Sequence, residues 1–304
     1  MSRRTNCVLT LWLILFVIAV PLAAAEPVEI DVMSFNIRYS TPGRSEQASE
    51  NNWTDSAHPR RERVIRVIRE HEPDVLGVQE AMHHQIEDLI AAFPQFDFYG
   101  VGRDDGKTSG EYAGIFYRKD RFERTGAGSL WLSATPEKPG TSFYTAPDAN
   151  PRVASWVKLK DTPSGEEFFV LNAHFDHISV PARQKSARLM RKRLEKEADK
   201  LPSIVMGDFN AREDAIEVIE LAGRHDAASL QLTDSYRALH PEREPMEATY
   251  NDWKGTLKGS RIDYILHTRD WQPLTAEIVR TSYDDLWPSD HYPVTAKLRL
   301  NSDR

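Results

Sequence analysis

The hydrophobic pattern of this chain is a series of short apolar runs, many of which end in polar residues. Val28 to Asn36 alternates and then runs apolar, which predicts a buried strand. Pro59 suits the first turn of a helix whose apolar face carries Val64, Ile65, Val67 and Ile68, and Pro73 halts it. Asp74 to Glu80 predicts a second strand, followed by a helix ending near Pro94. Further strands are predicted over 113–118, 153–160 and 167–175. A charged helix over 181–200 follows, with Leu189, Met190 and Leu194 as its buried stripe. A strand over 203–207, a helix over 213–221, and strands over 262–267 and 293–300 complete the series. Strands that sometimes alternate with helices and sometimes follow one another predict layered sheets covered by helices. The connections 40–58, 103–110, 133–151 and 241–260 are long for a compact domain, and such loops are commonly functional or mobile.

One apolar run stands apart. Arg3 and Arg4, the run from Leu9 to Val20, and Ala23-Ala24-Ala25 have the layout of a secretory leader. Residues 1–25 are therefore expected to be a signal peptide and 26–304 a single domain, exported to the periplasm or outside the cell. An uncleaved membrane anchor is the alternative; with the leader cleaved, no stable membrane insertion is expected. The sole cysteine, Cys7, leaves with the leader, so neither disulfides nor thiol catalysis are expected in the mature chain. Its charge becomes 37 Lys+Arg against 46 Asp+Glu, a balance of −9. Binding to long nucleic acid usually draws on a basic surface. The charge therefore weighs against long nucleic acid as a partner, though a local basic patch can still bind it.

Six segments at the ends of predicted strands bring polar residues together. They are Ser34-Phe-Asn36-Ile-Arg38, Gln79-Glu80, Asn172-Ala-His174-Phe-Asp176-His177, Gly207-Asp208-Phe-Asn210, Arg261-Ile-Asp263-Tyr264 and Ser289-Asp290-His291-Tyr-Pro-Val294. Such oxygen-rich sets suit Mg²⁺ or Mn²⁺, whereas zinc prefers more closely spaced histidines or cysteines. Each segment alone has an ordinary reading: a solvated Glu80, a turn-forming Asn36, an Asx turn at Asp208–Asn210, a core His174. Their joint occurrence and order carry the signal.

In that order, Asn36, Gln79-Glu80, Asn172-x-His174, Gly207-Asp-x-Asn210, Asp263 and Ser289-Asp290-His291 resemble the motifs of the endonuclease/exonuclease/phosphatase superfamily. Gly102-Arg-Asp-Asp-Gly-x-x-x-Gly-Glu111-Tyr112 and the residues around Asn36 resemble an exported bacterial branch of it. The resemblance implies an α/β, four-layer αββα sandwich like that of deoxyribonuclease I, with two mixed sheets face to face and helices outside. It implies hydrolysis of a phosphoester with Mg²⁺ or Mn²⁺. Glu80 would be the main metal ligand, with Asn36 and Asp290 nearby. Asp208 and Asn210 would hold the attacking water and a phosphate oxygen. His291 would be the general base oriented by Asp263, and His174 would donate to phosphate oxygens. Asn172 joins the substrate-binding set. Glu111 can pair with His174 or remain a surface acid. Arg38 and Arg152 can contact phosphate, or form surface ion pairs.

The leading expectation is an exported phosphodiesterase or phosphatase acting on a small, lipid or sugar-linked phosphoester, with no protein partner. A secreted nuclease would need a basic groove, with Arg60, Arg61, Arg103 and Lys107 as candidates. A carbohydrate-active protein could use Glu80 and Asp208 as a carboxylate pair, but leaves both histidines without a task. Trp53, Trp253, Tyr250 and Trp287 lie near the motif loops, where they can stack on a ring or pack the rim.

Overall fold

The computed structural model describes residues 27–41, 51–54, 57–198, 200–224 and 230–301, so the expected leader lies outside the described residues. In chain order the first half comprises β1 (Glu29–Asn36), α1 (Arg60–His71), β2 (Val75–Ala81), α2 (His83–Ala92), β3 (Phe96–Tyr99), β4 (Tyr112–Arg118), β5 (Phe122–Trp131) and β6 (Val153–Asp161). The second comprises β7 (Glu167–His174), α3 (Val180–Ala198), β8 (Ser203–Asp208), α4 (Ile216–Ala222), β9 (Thr233–Asp234), α5 (Ser235–Leu239), β10 (Asp263–His267), β11 (Trp271–Ile278) and β12 (Val294–Leu300).

The strands form two six-stranded mixed sheets, ordered β11-β12-β1-β2-β4-β3 and β5-β6-β7-β8-β10-β9. The two sheets share one plan. A parallel pair, β1–β2 or β7–β8, lies at the centre and is flanked on each side by an antiparallel neighbour. The helix-bearing connection of each parallel pair covers the outer face of its own sheet.

Side-chain alternation divides the apolar residues into three layers. Ile30 and Val32 of β1 meet Phe168 and Val170 of β7 and Ile204 and Met206 of β8 between the sheets. Met33 and Phe35 face the other way, onto Val64, Val67 and Ile68 of α1 and Leu89 of α2. Phe169, Leu171 and Val205 pack outward on Met190 and Leu194 of α3 and Leu221 of α4. The result is the expected four-layer αββα sandwich. Among the described residues, no helix is long and apolar enough to cross a membrane.

Three expectations about elements change. The helix expected from 213 starts at Ile216, because Glu213 turns aside to pair with Arg237 and Arg261. The long connections around 95–111 and 119–152 contain β3 and β5. A further strand, β11, fills the interval between the last two expected strands.

Candidate active site

At one end of the sandwich the inward-facing positions become polar. Along β7 the inner face reads Phe168, Val170, Asn172, His174; along β8 it reads Ile204, Met206, Asp208. On the first sheet, β1 continues from Val32 through Ser34 to Asn36. Asp263 heads β10 and pairs in register with Asp208, which in turn lies in register with His174. Strand pairing thus assembles residues that are far apart in the chain.

Glu80 reaches the site by a different device. In β2 the even positions Leu76 and Val78 face the helices, so strict alternation would turn Glu80 away from the site. The pairing with β4 slips there: Gln79 opposes Ala113 and Ala81 opposes Tyr112, leaving Glu80 as an extra residue with φ 61°. This bulge rotates its carboxylate inward. Arg38 and Asn210 also have left-handed backbones, at φ 57° and 47°. Such conformations cost non-glycine residues energy and cluster at functional sites.

Asp208 is the hub. Asn36 Nδ2 donates to Asp208 Oδ2 at 2.9 Å and to Glu80 Oε1 at 3.0 Å, joining carboxylates of the two sheets. His174 Nε2 and His291 Nε2 stand 3.5 and 3.8 Å from Asp208 Oδ2. Asn210 donates its backbone N–H to Asp208 Oδ1, and its side chain lies 3.0 Å from His174 Nε2. His291 Nδ1 meets Asp263 Oδ2 at 2.9 Å. The expected acid–imidazole couple is therefore formed.

Burial and neighbouring charge set the protonation states. Burial raises the pKa of Asp208 to about 7, helped by the adjacent Asp263. Burial pulls His291 down, but Asp263 and Asp208 outweigh it and lift the ring to about 10. Without a bound cation, the ring is thus held as imidazolium; accepting a proton requires positive charge to offset those carboxylates. His174 is pushed well below the ordinary histidine range by burial and by the Arg152 and Arg103 guanidinia, so it is neutral at pH 7. Burial raises Glu111 to about 7 despite Arg103. Burial also opposes the charge on Glu80, but Arg38 and the Asn36 amide bring its pKa below the ordinary value.

These groups line one open cavity of about 620 Å³. Of the sequence candidates, Arg38, Glu80, Glu111, Arg152, His174, Asp208, Asn210, Asp290 and His291 reach it. Asn36 and Asp263 stand directly behind them. Asn172 does not reach it. Its side chain is fully buried between the sheets, donating to Val78 O and Gly114 O at 3.0 and 2.8 Å and accepting from Gln79 Nε2 at 2.7 Å. The expected substrate contact is replaced by a cross-link between the two sheets. Glu111 binds Arg103 at 2.6 Å and lies 3.9 Å from His174 Nδ1, so its pairing with the imidazole is the weaker of the two. Arg152 is buried, with Nη1 3.0 Å from His174 Nδ1 and Nη2 2.8 Å from His177 Nδ1. His177, quoted within a motif but given no role, and Arg103, assigned to a groove, both line the cavity. Trp53 is buried and donates to Asp88, so it cannot stack on a substrate. Tyr250 stays exposed, edge-on to His291 with ring centres 5.2 Å apart.

The donor set fits a divalent cation. Arg38 spans Glu80 and Asp290, with Nη1 3.2 Å from Glu80 Oε2 and Nε 3.7 Å from Asp290 Oδ2. Two carboxylates thus converge on one shared positive group. Their hard oxygen chemistry suits Mg²⁺ or Mn²⁺. Asn36 stands beside this pair: its oxygen accepts from the Arg38 backbone N–H, and its amide donates to Glu80 and Asp208.

Converging carboxylates, two differently charged imidazoles and buried guanidinia, at the edge of a double-sheet sandwich, define a hydrolase site built to act on an anionic ester. The chain belongs to the Endonuclease/Exonuclease/phosphatase family, whose model matches residues 33–291. It is 34% identical to an endonuclease/exonuclease/phosphatase from Bacteroides vulgatus, covering 90% of this chain and 100% of that one, with a TM-score of 0.78. It is 30% identical to a mannosyl-6-phosphatase from Bacteroides thetaiotaomicron, covering 88% and 99%, also with a TM-score of 0.78. The human nocturnin catalytic domain, at 21% identity over 90% of this chain and 94% of that one, shares the fold with a TM-score of 0.67. No curated protein matches the chain significantly.

Proposed function

We propose that this protein is an exported, divalent-metal-dependent phosphatase acting on a small, sugar-linked phosphomonoester. The observation that carries the reading is the concentration of Arg38, Arg103 and Arg152 in the same cavity as Asp208, Asn210 and the His291–Asp263 couple. A monoester dianion demands more positive charge than a diester, and guanidinium groups match its oxygens. The cavity's volume of about 620 Å³ suits a ligand of sugar-phosphate size. The resemblance to a mannosyl-6-phosphatase supports the same class. The apolar leader pattern supports export.

Glu80 and Asp290 would hold Mg²⁺ or Mn²⁺, which when bound supplies positive charge at the phosphate and acidifies water. Arg38 and Arg152 grip phosphate oxygens. Asp208 and Asn210 position the attacking water, and His174 donates to an equatorial oxygen. His291 takes the proton while Asp263 holds its ring.

One of the four residues that a nucleic-acid groove would use, Arg60, is fully buried and does not line the cavity. The reading is tested by turnover of hexose 6-phosphates, a phosphodiester and duplex DNA with Mg²⁺, Mn²⁺ or EDTA. Metal-dependent activity highest on the monoesters is the expected result. Full activity in EDTA, or preference for DNA, would overturn it.

A further inference from the structure

We propose that Arg60 is a positioning residue for the metal-binding corner, fixing the turn after Asn36 against the loop that carries Asp290; this rests on the metal-dependent reading above. Arg60 lies at the start of α1, yet its side chain is fully buried. Its guanidinium donates to main-chain carbonyls from three separate segments. Nη1 reaches Ile37 O and, at 3.4 Å, Pro288 O. Nη2 reaches Arg38 O at 3.0 Å and Tyr39 O at 3.4 Å. Nε reaches Asn51 O at 2.8 Å. Its guanidinium carbon also lies over the rings of Trp53 and Trp253, 5.1 and 5.5 Å from their centres.

These contacts surround the residues that matter. Ile37 to Tyr39 follow Asn36, whose amide orients Glu80, and include Arg38, which spans Glu80 and Asp290. Pro288 lies two residues before Asp290. Parallel ties run alongside: Ser289 Oγ donates to Asn36 O at 2.6 Å, and Arg63, one turn along α1, donates to Trp287 O at 3.1 Å. Ser289 fixes Asn36 itself, whereas Arg60 fixes the turn beyond it and its distance from the opposite loop. Lysine cannot replace this arrangement, since its compact ammonium has three donors and lacks the planar five-donor fork that reaches carbonyls of three segments. The long loops bearing Trp53 and Trp253 thus serve the site indirectly, by covering the cation that sets its width.

The test is Mn²⁺ binding by calorimetry, which needs no substrate, on the wild type, Arg60→Lys and Trp253→Leu, with thermal melts and indole fluorescence alongside. Trp253→Leu keeps the carbonyl bonds of Arg60 while removing one cation–π partner, so it remains informative should Arg60→Lys fail to fold. Folded Arg60→Lys should bind Mn²⁺ at least ~10-fold more weakly, comparable to losing an outer partner of a metal ligand. Trp253→Leu should lose several-fold. Where activity is measurable, kcat should fall more than KM rises. Wild-type Mn²⁺ affinity in folded Arg60→Lys, or in Trp253→Leu if the lysine variant does not fold, would overturn the proposal. Failure of the wild type to bind Mn²⁺ would instead overturn the metal-dependent reading beneath it.

Discussion

Replacing Asn172 by leucine, close to it in size, separates a role in the fold from one at the substrate. The side chain makes three hydrogen bonds across the sandwich, to Val78 O, to Gly114 O and from Gln79 Nε2. Leucine leaves two buried carbonyls without this donor, while Gln79 Nε2 retains Ser34 Oγ at 3.2 Å. A buried polar group stripped of its partner costs about 1–3 kcal/mol. The two carbonyls dominate, and some extra apolar burial offsets them, so a net loss of about 3–5 kcal/mol is expected. A domain of this size melts about 2–4 °C lower per kcal/mol, so the midpoint should fall by roughly 6–20 °C. Space cannot be recovered by closing the sheets, because a Cβ at Gly77 would already lie 3.0 Å from Asn172 Cγ and 2.7 Å from Met206 Cε. The assay pairs thermal melts with kcat and KM measured well below the new midpoint. KM should stay within about threefold of the wild type, since the carboxamide does not face the cavity. A variant of wild-type stability with a large rise in KM would refute the reasoning and return Asn172 to the substrate.

Four other outcomes follow from the site. Glu80→Gln should weaken Mn²⁺ binding by more than ~100-fold, since outer partners alone contribute about 10–100-fold; calorimetry checks it. His291→Ala and Asp263→Asn should each lower kcat by about 10²–10⁴-fold, and the double variant little further, because the two act as a unit; multiplicative losses would separate them. Gly207→Ala should not accumulate as folded protein: its backbone has φ 145° and a Cβ there would lie 1.9 Å from Ala173 O, which soluble expression and melting would reveal. In EDTA, stability should fall from pH 6.5 to 8.5. Glu111 and Asp208, raised to about 7, and His291, raised to about 10, contribute stability below their unfolded pKa values and lose it as pH rises through these folded values. Melts across that range should show the fall, and Mn²⁺ should reduce it by replacing protons among the carboxylates.

The strands legible from hydrophobic pattern were the eight inside the two sheets; β3, β5, β9 and β11 are the four edges. An interior strand is bonded on both flanks and buries at least one whole face, which forces a dense or strictly alternating apolar pattern, as in β2 and β12. An edge strand has one free flank and tolerates polar or irregular sequence. β5 has only its ends buried, and β11 carries Pro273 at a slip in its pairing. The site residues were legible because strand ends fix them in register, as with His174, Asp208 and Asp263. The bulge at Glu80 was not legible, since alternation sends that side chain to the opposite face. Nor was the burial of Arg60 or Asn172: a basic residue near a helix start and an amide beside a motif histidine read the same on either side of a surface.

The placement of β1 governs the order in which the first sheet can be completed. This strand is bonded to β2 on one side and to β12 on the other. The flank toward β2 closes through a local connection, whereas the other joins segments 253 positions apart, as the Ser289–Asn36 bond marks. Closing so long a loop adds little to the equilibrium cost of folding, but distant pairings form slowly. A chain emerging from its first residue onward holds β1 with one ladder unfilled until residues 294–300 arrive. His291 enters the site from the start of that same segment. Completion of the first sheet, and with it the seating of His291 beside Asp263, is therefore among the last steps open to the folding chain.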